Sequence, residues 1–407
     1  MKTQEHLLPS LTPVPMVWKL LITLAVIQGL FTLSWVIYRA HLVSVLTQSG
    51  FSEQAAPQLL LIEALIAIAL EPLIGALSDR TELHGSRTPW IAIGLCGSAG
   101  LFIAIAAWVV LGQPTNALSN APRWEIIGLL LAWAIAMSVF RTPALALLKQ
   151  ATSTRYLPQA ASLLTLAGGL AGATAAATPI IRNWGVVLSF GIAALLLGGT
   201  WIALNAYLLP NARPSESTER VAIAQPPSLL SLGLIFGLGF TTTWVLRIVV
   251  ESFPKLLQTR LPDLNPALMI ALIFITLALT ALPSGIAAVH FGNRRVMLIG
   301  LGALMASLGL MTVPTSPAMA IVAAVALGIS FGLVSNGTLP FTLSSVSETN
   351  AGLAVGMFFG GAATAVSCLG LFGKVLLQSA NSPVWLGGLA LLIAALCLTV
   401  PLQSNQS

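Results

Sequence analysis

Long apolar stretches, each the length of a membrane-crossing helix, dominate this chain of 407 residues. Twelve such stretches lie between residues 17 and 402, and a helix needs about 20 apolar residues to cross roughly 30 Å of hydrocarbon. Hydrophobic residues make up 57% of the sequence and charged residues only 7%, which excludes a soluble protein with an ordinary charged surface. The stretches lack the alternation of apolar and polar residues that is typical of barrel strands. The sequence therefore predicts an all-α polytopic membrane protein.

Two patterns recur along the chain at nearly the same interval. A polar segment that begins at Gly75 has a weaker echo that begins at Gly285, 210 residues later. The run Trp35–Arg39 is echoed by Trp244–Arg247 at an offset of 209 residues. A shared interval indicates duplication of a half-chain and favours a transporter built from two pseudo-symmetric six-helix bundles.

The one long polar interruption near the middle of the sequence divides the chain. Residues 211–228 are rich in proline and charge and are predicted to be a cytoplasmic linker. The halves are then an N-terminal bundle at 1–210 and a C-terminal bundle at 229–407. Ten basic residues fall in loops and tails on the side of the termini and four on the opposite side. The positive-inside rule therefore predicts that both termini are cytoplasmic.

The polar segment after the second apolar stretch combines small, acidic and basic residues. Gly75 permits close approach of two helices, while Asp79 can accept hydrogen bonds from helix-end amides and pair with an arginine. These properties predict a gate that forms in one conformation and breaks in another, with a solvated loop as the alternative. The candidate gating residues here are Gly75, Asp79, Arg80, Gly85 and Arg87.

These gating residues also carry a family resemblance. They match the signature loop between the second and third helices of the major facilitator superfamily, and the twelve-span plan resembles that family over the whole chain. Residues 71–80, 87–90 and 143–148 look like the sucrose and glycoside cation-symporter branch. The resemblance implies the major facilitator fold, alternating access by two bundles and cation-coupled sugar uptake.

Ionisable residues inside the predicted spans need a partner or a wet cavity, because inserting each costs about 2.5 to 3.5 kcal/mol. Glu71 and Arg141 each lie about 12 Å from a charged residue at the cytoplasmic end, so we expect them to pair near the inner gate. Arg247 and Glu251 are four residues apart and can pair on one helix. Candidate proton carriers are Glu63, Glu71 and Glu251, because a buried carboxyl suits proton uptake.

Polar and aromatic residues near the middle of the first and seventh spans are the candidates for the substrate site, since transporter sites usually lie at the midplane. These polar residues are few for binding a sugar, which needs many hydrogen bonds, and they suit an amphipathic solute as well. A packing or gating role is the alternative for each residue. The candidates are Gln28, Ser34, Trp35, Arg39, Thr242, Trp244 and Arg247.

The sequence contains no phosphate-binding loop, nucleophile elbow or metal-ligand cluster. We therefore expect no enzyme activity, no cofactor and no metal. The predicted function is secondary active transport of a small organic solute, glycoside-like or amphipathic, coupled to a proton or cation gradient. The expected partners are that solute, a proton or cation and the lipid bilayer, with no nucleic acid, and the predicted working unit is a monomer.

Two alternatives to this function stay open. One is a non-transporting membrane assembly or pigment-handling factor on the same fold, a role known among relatives in the superfamily. The other is a multidrug exporter, which keeps the mechanism and changes only the substrate and the direction of flux.

Overall fold

The computed structural model describes residues 17–83, 86–111, 123–211, 227–379 and 381–400. Within these ranges the chain forms twelve helices that are long and apolar enough to cross a membrane. The predicted all-α architecture and number of spans are thereby confirmed. The helices are α1 (Trp18–Gln48), α2 (Ala55–Leu83), α3 (Thr88–Leu111), α4 (Glu125–Ala146), α5 (Leu157–Ala173), α6 (Gly185–Asn211), α7 (Leu229–Arg260), α8 (Pro266–Phe291), α9 (Asn293–Met311), α10 (Pro317–Ser344), α11 (Ala351–Leu376) and α12 (Ser382–Thr399).

An apolar chain forms helices in hydrocarbon because each helix satisfies its own backbone N–H and C=O groups. Local signals mark some of their ends. Asn265 caps α8 by accepting a hydrogen bond from the backbone N–H of Ala267 at 2.9 Å, with Pro266 in the first turn. Gly292, at φ +91°, makes the sharp turn between α8 and α9.

Two helices are less regular than the uniform apolar stretches predict. Beyond α5 the chain continues through a 3-10 turn at Thr174–Ala177 and a short helix at Thr178–Asn183. The span expected at residues 158–180 is therefore not one continuous α-helix. Pro179 lies in the first turn of the short helix, where its missing N–H costs no hydrogen bond. A second short helix, Leu148–Ala151, follows α4.

Consecutive helices run in opposite directions, so their termini gather at two ends of the molecule. Near the start of α1 and the end of α4, the N–H of Val17 donates to the C=O of Ala151 at 3.0 Å. At the opposite ends of these helices, the N–H of Arg123 donates to the C=O of Ser49 at 3.1 Å. We call the end where α1 begins and α6 ends the linker end, and the opposite end the far end.

Two buried hydrophobic clusters follow the two halves of the chain. The first draws mainly on α1 to α6 and includes Trp133 and Phe190. The second draws on α7 to α12 and includes Phe253 and Phe331. Val355, in the first turns of α11, also belongs to the first cluster. The two bundles therefore share apolar contacts at the linker end.

The predicted division into residues 1–210, 211–228 and 229–407 stays a prediction in its details. Residues 212–226 lie outside the described part of the chain, and so does most of the expected linker.

Glycines let helices of one bundle touch along their backbones. A Cβ added at Gly239 of α7 would lie 2.0 Å from the carbonyl oxygen of Phe358 in α11, and one at Gly361 would lie 2.1 Å from that of Phe236. Such distances are far below van der Waals contact, so α7 and α11 can cross at this spacing only with glycine at the contact. Between the bundles, α2 packs along α11 and α5 along α8.

Gly239→Val tests this crossing. The added side chain would force α7 and α11 apart, and we expect a loss of about 1 to 3 kcal/mol or more, as for other overpacked cores. The measurement is the melting temperature of the purified protein in detergent. Gly302→Val is the matched control, because nothing lies within 4 Å of a Cβ at Gly302. Equal melting temperatures for the two variants would contradict the proposed close crossing.

Candidate functional site

The carboxylate of Asp79 joins the two bundles at the linker end. One oxygen accepts the backbone N–H of Gly352 at 2.8 Å and the other accepts that of Leu353 at 2.7 Å. Both donors belong to the first turn of α11, where backbone N–H groups have no partner within the helix and favour a negative charge. The Arg87 guanidinium donates to the same carboxylate at 2.6 Å. Asp79 thus bridges the end of α2, the start of α3 and the start of α11.

The other predicted residues of this gating segment differ in their placement. Arg87 is buried, with a relative exposure of 1%, and also forms an ion pair with Glu82. Arg80 is exposed. Gly85 lies outside the described residues. Among these residues, Asp79, Glu82 and Arg87 form the ion pairs of the site.

Small residues bring α2 and α11 into backbone contact beside this carboxylate. A Cβ at Gly75 would lie 2.2 Å from the carbonyl oxygen of Gly352. One turn further along α11, a Cβ at Gly356 would lie 2.3 Å from the carbonyl oxygen of Glu71. Asp79 can reach the amides of α11 because no side chain separates the two helices here.

Further contacts between the bundles close the linker end. The Lys149 ammonium donates to the carbonyl oxygen of Leu343 at 2.8 Å and also to that of Val346. The amide of Asn336 donates to the carbonyl oxygen of Pro158 at 3.2 Å. These bonds link the end of α4 to the end of α10 and the start of α5 to the last third of α10. The linker end is therefore held shut by polar contacts as well as apolar packing.

Glu71 and Arg141 contact each other, deeper in the molecule than Asp79. Glu71 accepts hydrogen bonds from Arg141 and from the Thr142 hydroxyl, so both of its oxygens are engaged. The Arg141 guanidinium also lies 4.6 Å from the ring centroid of Phe31 in α1 and 3.6 Å from that of Phe359 in α11. Its cation–π contact with Phe359 crosses the bundle interface, at a depth where charge is costly.

Glu63 lies in a different environment on the same helix. One of its oxygens accepts a hydrogen bond from the Tyr38 hydroxyl. The other is buried and has no hydrogen-bond partner among the described residues. Glu63 also lines a small cavity of about 10 Å³ between α2 and α4, together with Ser138. Tyr38 stacks on Trp133 with ring centroids 4.4 Å apart, which fixes its hydroxyl beside the carboxyl.

A larger cavity of about 300 Å³ lies toward the far end, between α2, α7 and α11. It is bordered by Leu60 and Leu61 of the first bundle and by charged residues of the second. The i,i+4 pair expected on α7 forms, with Arg247 donating to Glu251 at 2.8 Å. The cavity is lined by Pro57, Leu60, Leu61, Arg247, Glu251, Lys255, Val366, Leu369, Gly370, Gly373, Lys374 and Leu377.

None of the substrate candidates on α1 is among the residues that line this cavity. Trp35 is half-buried, and the Arg39 guanidinium lies 5.6 Å from its ring centroid. Arg39 is exposed. Gln28 is half-buried and lies against Gly168 of α5, while Ser34 is buried.

The candidates on α7 other than Arg247 contribute mainly to packing. The Thr242 hydroxyl donates to the carbonyl oxygen of Leu238 in its own helix at 2.7 Å. Trp244 has a relative exposure of 8%, stacks on Phe240 and belongs to the second hydrophobic cluster.

Sequence reasoning missed several residues that the structure places at these sites. Lys255 and Lys374 line the cavity, Tyr38 contacts Glu63, and Phe359 contacts Arg141. The i,i+4 spacing of Glu251 and Lys255 on one helix face was an available signal. The other contacts join distant segments and leave no trace in local spacing.

Part of the chain is similar to a known sequence family. The family described as PUCC protein matches residues 55–208, which run from α2 into α6. No curated protein matches the sequence.

The whole chain is similar in fold to solved transporter structures. The human organic anion transporter MFSD10 (TETRAN) gives a TM-score of 0.73 at 16% identity, over 95% of this chain and 100% of that one. A bacterial homologue of the iron transporter ferroportin in an outward-facing state gives 0.71 at 15% identity, over 95% and 98%. The chain therefore has the major facilitator fold, as its sequence resemblance implied. At such identities the likeness establishes the fold alone.

Asp79→Asn tests the carboxylate at the linker end. An amide side chain cannot give both N–H groups of α11 a charged acceptor, and charge-assisted bonds are about twice as strong as neutral ones. We expect hydrogen exchange at the start of α11 to become about tenfold faster, which corresponds to about 1.4 kcal/mol. Mass spectrometry of peptides around residues 348–356 measures it. Asp263→Asn, at an exposed loop position, should leave the exchange rate unchanged, and a similar effect of both variants would refute the assignment.

Glu71→Gln and Arg141→Met test the deeper ion pair through a double-mutant cycle. Each single change leaves one buried charge uncompensated, which costs about 3 to 5 kcal/mol. The double variant removes both charges, so its loss should be smaller than the sum of the two single losses. The readout is the melting temperature in detergent. Simple additivity would mean that the two side chains do not stabilise each other.

Proposed function

We propose that the chain is a secondary transporter that moves a small organic solute across the membrane by alternating access of its two bundles. The observation that carries this proposal is the unequal closure of the two ends. At the linker end, Asp79, Lys149 and Asn336 bind backbone groups of the other bundle. Toward the far end, a cavity of about 300 Å³ is bordered by both bundles.

The contacts at the linker end are suited to a reversible gate. Asp79 binds backbone amides through a few directional hydrogen bonds, so a rocking motion of the bundles breaks them together. The glycine contact between Gly75 and Gly352 lets the helices seal without interlocking side chains. If both termini are cytoplasmic, as the basic residues predict, this conformation faces outward.

Coupling to a proton is assigned to Glu63 among the three candidate carboxyls. Both oxygens of Glu71 are engaged by Arg141 and Thr142, and Glu251 is paired with Arg247. Glu63 keeps one oxygen without a partner among the described residues. It can therefore bind and release a proton without breaking an ion pair.

The solute proposed from the family resemblance is glycoside-like or amphipathic. A cavity of about 300 Å³ lies at the small end of known ligand pockets, which run from about 300 to 1,000 Å³. The apolar walls at Leu60 and Leu61 suit a solute with an apolar part. The proposed working unit is a monomer in the bilayer.

Glu63→Gln tests the coupling in proteoliposomes. We expect uptake driven by a pH gradient to fall at least about tenfold, because the amide cannot carry the proton, while exchange of labelled for unlabelled solute continues. The solute is the glycoside or amphipathic compound, from a panel, that most raises the melting temperature. Glu53→Gln, at an exposed position, should retain gradient-driven uptake. Unchanged gradient-driven uptake by Glu63→Gln would contradict the assignment.

A second candidate function is a membrane assembly factor that does not transport. The match of residues 55–208 to the family described as PUCC protein favours it. Affinity purification from the native membrane, combined with exchange assays in proteoliposomes, separates the two functions. A stable protein or pigment partner without solute exchange would favour the assembly factor, and exchange by the chain alone would favour the transporter.

A further inference from the structure

The cavity toward the far end carries more positive than negative charge. Of its lining residues, Arg247, Lys255 and Lys374 are cationic and Glu251 is the one acidic group among them. We propose that this cavity binds an organic oxyanion, whose charged group lies between Arg247 on the cavity wall and Arg39 of the first bundle, which is not among the lining residues. The inference names the substrate class of the proposed transporter and therefore rests on that function.

Arg39 is an exposed cation that no carboxylate pairs with directly among the described residues. Arg39 forms no ion pair or hydrogen bond there, and its one ring contact is with Trp35. The Glu63 carboxyl acts on Arg39 electrostatically, but its hydrogen bond is with the Tyr38 hydroxyl. An arginine about 14 Å from the end of its helix needs a counter-charge or water, and an anionic solute supplies the former.

Arg247 also has a hydrogen-bond donor without a partner among the described residues. One nitrogen donates to Glu251, while the buried Nε has no partner among the described residues. Arg39 and Arg247 are close enough to act on each other electrostatically. Each guanidinium presents a planar fork of donors that fits a carboxylate, sulfate or phosphate.

The position of these two arginines couples anion binding to closure. They belong to different bundles, so their mutual repulsion rises as the far end closes. An oxyanion between them replaces this repulsion with attraction to both sides. The empty protein then resists closure at the far end, and the loaded protein favours it.

The walls of the cavity suit the organic part of such a solute. Leu60, Leu61 and Leu369 line it, and Trp35 lies beside Arg39. The same positive charge disfavours a metal cation as cargo. Among the described residues, no group of three or more His, Cys, Asp and Glu side chains could hold a metal ion.

Matched ligands with one fluorophore test the binding site. The probes are the glucuronide, sulfate and phosphate of 4-methylumbelliferone, with the neutral glucoside as the uncharged comparison. We expect at least one anionic probe to raise the melting temperature more than the glucoside does. Arg39→Gln and Arg247→Gln should each weaken that binding about tenfold or more, since each removes charge-assisted hydrogen bonds.

Lys19→Gln is the matched control, because Lys19 is an exposed cation at the linker end. Its affinity for the probes should equal that of the unmodified chain. The proposal is overturned if none of the three anions stabilises the protein, if the glucoside binds equally well, or if Lys19→Gln weakens binding as much as the two arginine variants.

The sign of the cavity potential can be measured without a ligand. Leu60→Cys is introduced after Cys96, Cys368 and Cys397 are replaced by serine. An anionic sulfonatoethyl methanethiosulfonate should then react faster than the cationic trimethylammonium reagent, after correction for their intrinsic rates. Arg39→Gln with Arg247→Gln should bring the two rates together. Equal rates before these substitutions would refute a positive cavity.

Failure of the anion site and failure of transport give different results. Exchange of the glucoside without any effect of the anions would overturn the oxyanion site and leave the transporter proposal standing. Arginine-dependent anion binding without exchange of any probe would support the site and contradict the transporter proposal.

Discussion

The structure depends on one carboxylate that meets the start of a helix from the other bundle. Asp79 satisfies two backbone N–H groups of α11 that have no acceptor within their own helix. In a low-dielectric setting such bonds are strong, and an unpaired carboxylate would be expensive. Two neighbouring residues make this contact possible. Gly75 has no side chain that would hold α11 away, and Arg87 forms an ion pair with the carboxylate.

Charge is scarce in this chain, and its placement separates structural groups from functional ones. Glu71 is paired with Arg141 and Asp79 with Arg87 inside the first bundle. Asp79 and Arg141 also contact α11 of the second bundle, and these contacts stabilise the closed linker end. Arg39 stands apart, without an ion pair among the described residues. A charged residue without an ion-pair partner in a membrane-spanning helix lowers the stability of the protein, and function is the usual reason for its presence.

The sequence predicts the fold well, because helix length and hydropathy decide it almost alone. Counting residues along the helices correctly placed Glu71 at the same depth as Arg141. The four-residue spacing of Arg247 and Glu251 correctly predicted their contact. Contacts between distant helices were not predictable in this way. The Arg141 contact with Phe359 depends on how the bundles dock, and helices that are apolar all round do not reveal which side faces the protein.

The two seams between the bundles are not equivalent at the linker end. Both seams bring small residues together, with Gly75 against Gly352 in the α2–α11 seam and Gly285 against the Pro158 carbonyl in the α5–α8 seam. The Asp79 carboxylate, however, lies in the α2–α11 seam. Directional bonds to a carboxylate either form or break, but a smooth glycine surface allows helices to slide by small steps. For the proposed transporter, the α2–α11 seam is therefore expected to have two discrete states, bonded and broken, while the α5–α8 seam is expected to shift by small sliding movements.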